Sequence, residues 1–335
     1  METRKVQITG KSTYIISLPK TWVNKVSITN GSSLIMIPRS DGTLLINPKL
    51  NENAKKIKNT ITIDSQDIDS LFRKFIGAYL AGCDVIEIKS KENFSPLIRQ
   101  NIRRLIHNVI GPEIVDESSN TVVINDLLDS SDLSLVQGLR RMYVITRGMH
   151  KDAILSLKNQ DPLLAQDVET RDDEVDKFYW MIAKQHNMVM NDIFFADKMG
   201  VKPKEVLGYL LVARSIERIA DHAKKLAGFT PKIKEPIQLI DDIVQTSDEL
   251  LKAFDEAINA FNRNRFEYAN NVVNQTKELA KKTEQLTKDI FNLEKDAVTI
   301  VSLAYIVDSL ERTRAYILDI AETSINHQFA LSSSA

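Results

Sequence analysis

Hydrophobic and polar residues alternate along the first 48 positions with the two-residue period of β-strands. Gly10, Gly31 and Gly42 separate the alternating segments, and glycine readily takes the positive φ angles of tight turns. The sequence Pro-Lys-Thr-Trp-Val at 19–23 indicates a short helix with proline at its first position. The pattern predicts four short strands and one helical turn.

A segment of this size buries too little apolar surface to fold by itself. Cys83 is the only cysteine of the chain, which excludes internal disulfide bonds and cysteine-rich zinc sites as a means of stabilisation. The remaining route is a hydrophobic core shared with a second copy. We therefore expect an obligate homodimer formed through the N-terminal residues.

Strands and helices alternate between residues 60 and 124. Strands are predicted at 60–63, 85–88, 113–115 and 121–124, and helices at 67–81 and 96–109. This order is typical of a small α/β domain. Gly82 and Gly111 stand singly at helix ends and do not form a phosphate-binding loop. No chemistry is predicted here, and the domain is either a ligand sensor or a spacer.

Apolar positions recur with the helical period after residue 133, and proline- and glycine-containing connections divide this region into six long helices. The region also repeats at an offset of 104, which aligns Ala153 with Ala257 and Val168 with Val272. Two related three-helix bundles in tandem are therefore predicted. The predicted domains cover residues 1–50, 58–128, 132–230 and 236–330.

Composition and charge limit the function. The chain has 335 residues, of which 43% are hydrophobic and 27% charged, the balance of a soluble globular protein. The 44 basic and 45 acidic residues nearly cancel, so a nucleic-acid role must come from one segment. No signal peptide is recognised, and the longest uncharged apolar stretch, 297–307, has roughly half the length of a membrane helix. We expect a cytoplasmic protein without membrane insertion.

Positive charge is concentrated at the N-terminal end. Up to residue 49, seven basic side chains accompany two acidic ones, a net charge of +5. Contacts with DNA phosphates depend on such local charge, and a dimer doubles it. The alternatives are that these are ordinary surface residues or that the domain only dimerises.

The sequence R-K-V-Q-I-T-G-K-S-T-Y-I-I-S-L-P-K-T-W-V at 4–23, followed by the turn at Asp41-Gly42, resembles the AbrB (SpoVT/AbrB) swapped-hairpin DNA-binding domain. The resemblance covers about residues 3–48. It implies an intertwined homodimer that places basic side chains on DNA. These side chains would be Arg4, Lys5, Lys11, Lys20 and Lys25.

Three motifs of the helical region resemble the PhoU family of phosphate-uptake regulators: G-M-H-K-D-A-I at 148–154, R-D-D-E-V-D at 171–176 and S-I-E-R-I-A-D-H-A at 215–223. The resemblance covers about residues 133–330. It implies two three-helix bundles, negative regulation of phosphate uptake, and a divalent or trivalent metal ion such as Mg, Zn or Fe bound by acidic residues four apart. Those residues are here Asp172, Asp176, Glu217 and Asp221.

The expected fold class is therefore multidomain. It combines an AbrB-like swapped-hairpin β domain, a small α/β middle domain and a PhoU-like all-α region of tandem three-helix bundles.

Helical geometry distinguishes the acidic residues of the second motif. At about 100° per residue, Asp172 lies about 75° from the centre of the apolar face and Asp176 about 115°, whereas Asp173 points almost directly away. Carboxylates four residues apart project from one helix face, so two such pairs on facing helices present four carboxylates to a hard cation.

Spacing alone favours a different interpretation of the third motif. Glu217 and Asp221 share a face with Arg214, Arg218 and Lys225, which predicts a solvated face with Arg214–Glu217 and Asp221–Lys225 ion pairs. The PhoU resemblance favours the metal site, and both interpretations stay open here.

The internal repeat limits the metal to one bundle. The positions equivalent to the four acids are Thr276, Ala280, Glu311 and Ala315. A lone glutamate cannot supply the oxygen ligands that a hard cation needs, so we expect metal in the first bundle only.

Three classes of function follow. The first is a dimeric, phosphate-responsive transcriptional regulator that binds DNA. The second is a signalling adaptor that docks on a phosphate transporter or kinase and uses its N-terminal domain only to dimerise. The third, an enzyme, is not predicted, because no Ser/His/Asp arrangement, activated cysteine or P-loop is present.

Overall fold

The computed structural model describes residues 2–10, 12–38, 42–48, 56–63, 67–233, 235 and 237–332. The chain divides into two compact units, 1–56 and 57–335. The division into four domains with the boundaries given above stays a prediction.

The first unit consists of short strands and one short helix, as the alternating pattern predicts. Strands β1 (Gln7–Thr9) and β2 (Thr13–Ile15) form one antiparallel hairpin, and β3 (Ile35–Pro38) and β4 (Leu44–Asn47) form another. Helix α1 (Lys20–Lys25) lies between the hairpins in sequence. Gly10 and Gly42 have φ angles of +67° and +81°, the left-handed region that glycine enters without strain.

None of the described side chains in residues 2–56 is buried. Large apolar side chains are instead exposed to solvent, among them Ile8 at 64%, Tyr14 at 72% and Met36 at 57%. The described part of this unit therefore has no hydrophobic core of its own.

The second unit begins with a four-stranded sheet. Its strands are β5 (Lys58–Ile63), β6 (Val85–Ser90), β7 (Pro112–Glu117) and β8 (Thr121–Asp126), in the order β5-β6-β8-β7. Strands β5 and β6 are parallel, and the other pairs are antiparallel. The parallel connection is made by helix α2 (Ile68–Leu80), and helix α3 (Pro96–His107) follows β6. The predicted α/β domain is confirmed.

Apolar residues of the sheet and its two helices form one core, in which Phe75 of α2, Ile88 of β6 and Ile124 of β8 are almost fully buried. The helices begin at side-chain caps: Asp67 accepts a hydrogen bond from the Ser70 amide, and Ser95 from the Ile98 amide.

The remainder of the second unit is helical. The six long helices are α4 (Leu135–Asn159), α5 (Pro162–Asn191), α7 (Pro203–Phe229), α8 (Leu239–Arg263), α9 (Phe266–Phe291) and α10 (Ala297–Ser332). Helices α4, α5 and α7 pack together, as do α8, α9 and α10. A further short helix, α6 (Ile193–Met199), was not predicted. It begins where Asp192 accepts a hydrogen bond from the Phe194 amide.

The internal repeat is confirmed in the helix boundaries. Helices α4 and α8 begin and end at positions 104 residues apart, and α5 and α9 begin 104 residues apart. The residues that follow α4 and α8, Gln160 and Asn264, both have a left-handed φ of 53°. The aligned alanines Ala153 and Ala257 are fully buried. The first two helices of each bundle therefore begin at equivalent positions.

Helix α5 joins the sheet to the bundles. A buried ion pair links Lys184 of α5 to Asp126 at the end of β8. The Asn187 amide group donates to the Leu80 carbonyl at 2.9 Å. Trp180 contacts both hydrophobic cores.

Among the described residues, no helix combines the length and the apolarity needed to cross a bilayer.

Candidate functional site

Helix α5 places its acidic residues at different depths. Val168 and Val175 are completely buried, and Asp172 lies between them on the same side with only 4% of its surface exposed. Asp176 is half-buried and Asp173 is exposed. This is the order that the helical phase predicts.

Helix α7 brings the second acidic pair beside the first. Its apolar face is completely buried at Ile216, Ile219 and Ala223, while Glu217 and Asp221 are half-buried. We call Asp172, Asp176, Glu217 and Asp221 the carboxylate cluster.

Basic side chains of α7 engage three of these carboxylates. The Lys224 Nζ donates to Asp172 Oδ2 at 2.9 Å. The Arg218 Nη1 donates to Asp221 Oδ2 at 3.1 Å, and its Nε lies 3.5 Å from Glu217 Oε2. The predicted Arg214–Glu217 and Asp221–Lys225 ion pairs are not among those of the described residues. Arg214 does not pair with Glu217 because its Nη1 donates instead to the Tyr179 hydroxyl at 2.9 Å.

The pKa values show that the four carboxylates share one electrostatic environment. Burial raises the pKa of Asp176 to about 7, and the negative charges of Asp172, Glu217 and Asp221 add to the increase. Burial also raises the pKa of Glu217, with the charge of Asp221 as the next cause. For Asp172, burial raises the pKa and the ion pair with Lys224 offsets part of that increase. Close packing of four acids away from water is unfavourable unless positive charge accompanies them.

Two buried oxygens of the cluster receive no hydrogen bond, Asp172 Oδ1 and Glu217 Oε2, and the second lies within ion-pair distance of Arg218. Carboxylate oxygens are the ligands that hard cations such as Mg²⁺ and Mn²⁺ prefer. Within the described ranges, no group of three or more His, Cys, Asp or Glu side chains converges closely enough to hold a metal ion. A cation would therefore have to draw the carboxylates together, and their role as ligands stays a prediction.

The interaction of Lys224 with Asp172 was not predicted. A signal was present, because Glu217, Asp221 and Lys224 follow the i, i+4, i+7 spacing of one helix face.

His222, left out of the predicted site, is 8% exposed, and burial lowers its pKa to about 4. Its ring packs against Tyr316 of α10.

The second bundle lacks the cluster. Thr276 is buried at the position of Asp172, and its hydroxyl donates to the Val273 carbonyl at 2.8 Å. The retained acid, Glu311, accepts a two-nitrogen interaction from Arg314 and a hydrogen bond from Thr283 at 2.6 Å. Its oxygens are thus satisfied within the bundle.

The predicted DNA-contacting residues of the first unit lie at its surface where the structure describes them. Arg4, Lys5, Lys20 and Lys25 are exposed, and the two lysines stand at opposite ends of α1. Arg4 Nη2 lies 2.5 Å from Glu2 Oε2, which offsets part of its charge. Lys11 lies outside the described residues.

The chain combines a β-hairpin unit without a buried side chain among its described residues and tandem helical bundles, the first of which holds the carboxylate cluster. Two known families match parts of this chain. Residues 139–230 match the PhoU domain, and residues 7–53 match the antitoxin family described as "Antidote-toxin recognition MazE, bacterial antitoxin". The first bundle is therefore similar to the PhoU domain, and the N-terminal segment is similar to the MazE antitoxin family.

Solved structures agree with this assignment of the fold. The phosphate transport system regulatory protein PhoU from Streptococcus pneumoniae is 16% identical, with a TM-score of 0.51 over 58% of this chain and 94% of that chain. PhoU from Pseudomonas aeruginosa is 19% identical, with a TM-score of 0.53 over 58% of this chain and 96% of that chain. No curated protein matches the chain.

Proposed function

We propose that this protein is a phosphate-responsive transcriptional regulator that binds DNA as a homodimer and negatively regulates phosphate uptake. The observation that carries the proposal is the first unit, in which every described side chain is at least partly exposed. The PhoU domain and the likeness to a phosphate transport system regulatory protein support the connection with phosphate.

Dimerisation follows from the exposed apolar surface. Ile8 and Tyr14 are cross-strand partners in the first hairpin and are exposed at 64% and 72%. In the second hairpin, Met36 is exposed at 57% and Leu44 at 51%. Covering such surface with a second copy is favourable by about 25 cal/mol for each Å² of apolar area buried. Two copies of the unit would thereby build the core that one copy lacks.

DNA binding follows from the charge that dimerisation brings together. Lys5, Lys20 and Lys25 are exposed and form no ion pair among the described residues. A dimer presents two sets of these side chains, and phosphate contacts of this kind position a protein on duplex DNA. Arg4 and Lys11 belong to the same proposed interface.

The carboxylate cluster is the proposed metal site, and it occurs in the first bundle only. A bound divalent or trivalent ion, of which Mg, Zn and Fe are the candidates, would supply positive charge between α5 and α7. The chain's own contribution would be the buried oxygens of Asp172 and Glu217 that receive no hydrogen bond, the second of which lies 3.5 Å from Arg218 Nε. In the second bundle, Glu311 is already satisfied by Arg314 and Thr283.

A second candidate function is a signalling adaptor for phosphate transporter subunits or a kinase. The matched antitoxin family is described by recognition of a toxin rather than of DNA. The pairing of Arg4 with Glu2 favours this alternative, because it reduces the charge available to DNA. In the adaptor, the first unit only dimerises.

A salt titration of DNA binding separates the two candidates. Fluorescence anisotropy of a labelled duplex is measured with the full chain between about 50 and 200 mM salt. A regulator should lose affinity steeply, because each phosphate contact contributes about 0.9 to the slope of log K against log salt. The triple change Lys5→Gln, Lys20→Gln and Lys25→Gln removes three positive charges per protomer and should reduce that slope by up to about five in the dimer.

The matched control carries three changes on exposed helix surface, Lys151→Gln, Lys252→Gln and Lys277→Gln. These lysines form no ion pair in the described part of the chain. Because both triple variants remove three positive charges, the control has the same net charge as the test variant. Equal slopes for both variants, or no binding by the wild type in dilute buffer, would leave the adaptor as the better account.

A further inference from the structure

A cavity of about 390 Å³ opens between the sheet domain and helix α5 of the second unit. Its wall is formed by the last turn of α3, the connection from α3 to β7, the first residues of β7 and Lys177 of α5. Small-molecule sites occupy about 300–1,000 Å³, so this cavity has room for a small organic molecule.

One part of the cavity wall is aliphatic. Ile106 and Val109 are buried, and Ile110 and Ile114 are half-buried. Contact with these side chains would remove the apolar body of a ligand from water, which is favourable in proportion to the area covered. The wall therefore suits an organic molecule better than a bare inorganic ion.

Cationic and hydrogen-bonding side chains of two elements meet at the same cavity. Lys177 of α5 is half-buried and forms no ion pair within the described ranges, and His107 of α3 offers an imidazole donor. Arg103 of α3 lies 3.2 Å from Glu117, but Arg99 engages the same carboxylate, so two guanidinium groups share one negative charge. The cavity thus presents donors with surplus positive charge, as a phosphate or carboxylate group requires.

The rim of the cavity is held in place by the attachment of the sheet to α5. Gly111 has a φ of +107°, and a Cβ at this position would overlap Asp126 Oδ1. Asp126 is the buried partner of Lys184. Because the same aspartate fixes both the rim and the attachment, the cavity is formed before any ligand binds. Binding to a preformed site avoids the cost of ordering its wall.

We propose that this cavity binds a nucleoside monophosphate, with its phosphate group at Lys177, Arg103 and His107 and its nucleoside against the aliphatic wall. Glu113, the acidic residue of the lining, provides an acceptor for ribose hydroxyl or base amino groups. The sheet domain is then a ligand sensor rather than a spacer. This inference requires neither DNA binding nor a metal ion.

The test is isothermal titration calorimetry of the full chain with AMP in dilute buffer at pH 7. The wild type should bind about one AMP per chain, and adenosine and inorganic phosphate should each bind at least about tenfold more weakly, because each lacks one half of the ligand. Lys177→Met should weaken AMP binding at least about tenfold through loss of a charge-assisted hydrogen bond.

Two variants serve as matched controls. Lys151→Met removes a charge from an exposed position of α4, and Arg104→Gln is compared with Arg103→Gln because it is the exposed neighbour on α3 that does not line the cavity. Lys151 and Arg104 form no ion pair in the described residues, and both control variants should bind AMP like the wild type. Circular dichroism of each variant verifies that the helices are intact.

Three results would overturn the inference. Absence of AMP binding by the wild type at millimolar concentration would exclude the proposed ligand class. Equal binding by Lys177→Met and Lys151→Met would place AMP elsewhere on the chain, for example on the basic N-terminal unit. Inorganic phosphate or adenosine that binds as tightly as AMP would show that the cavity does not recognise the two halves together.

Discussion

The ionised form of Asp176 is disfavoured by burial and by the other acids of the carboxylate cluster. Its pKa is raised from 3.8 to about 7 by burial and by the charges of Asp172, Glu217 and Asp221. A raised carboxyl pKa means that the folded state binds the proton more tightly than the unfolded state. The contribution of Asp176 to stability is therefore most favourable below pH 4 and is lost as the pH rises toward 7.

Asp176→Asn should remove this loss. At pH 8 the variant should have a free energy of unfolding about 2–4 kcal/mol higher than the wild type, and the difference should nearly disappear at pH 4. Urea denaturation at both pH values measures the effect. Asp173→Asn, at the exposed neighbouring position, is the control and should change little. If the Asp176→Asn variant is no more stable than the wild type at pH 8, the ionised Asp176 carboxylate does not destabilise the folded state.

At the residue scale, the sequence determines which side chains approach the core but not how they pair. Helical phase alone places Asp172 nearer the core than Asp176 and Asp173 outside it, because rotation per residue is nearly constant. Ion pairs depend on rotamers of long side chains, which several partners satisfy equally well. Arg214 pairs with Tyr179, on another helix, and this leaves Arg218 to engage Glu217 and Asp221.

Between elements, the ion pair of Lys184 and Asp126 attaches the sheet to α5. Both side chains are buried, at 4% and 8% exposure, and the Tyr79 ring lies 4.8 Å from the ammonium. Lys184→Met should lower the free energy of unfolding by about 3–5 kcal/mol, because it leaves the Asp126 charge buried without a partner.

The double variant Lys184→Met with Asp126→Asn should recover a large part of that loss, since neither position then carries a charge. Urea denaturation of the wild type, both single variants and the double variant completes a double-mutant cycle. A Lys184→Met variant within about 1 kcal/mol of the wild type would mean that this attachment contributes little.

At the element scale, periodic patterns predict what is local and miss what is determined by packing. The six long helices and the strands of both units follow from hydrophobic period and turn residues. Helix α6 was missed because it is seven residues long and begins at a single cap, Asp192. The docking of the sheet on α5 depends on Lys184, Asn187 and Trp180, and no spacing rule connects these residues with partners more than 50 positions away.

For the molecule as a whole, the account requires a homodimer joined through the first unit. That unit has exposed apolar strands and no buried side chain among its described residues, and it supplies the basic residues proposed to contact DNA. Because a shared core and a doubled basic surface arise from the same association, dimerisation and DNA binding should be lost together. The sequence predicts this association from the small size of the segment, and the exposed apolar side chains are where we propose that the two copies meet.

Sedimentation equilibrium of the full chain, with and without a DNA duplex, is the most direct test of the dimer. The wild type should have twice the 37.9 kDa mass of one chain and should bind DNA. Ile8→Asp with Tyr14→Asp should sediment as a monomer and lose DNA binding, whereas Leu163→Asp, at a helix position 76% exposed, should behave like the wild type. A wild-type chain that is monomeric and binds no DNA in dilute buffer would contradict the account.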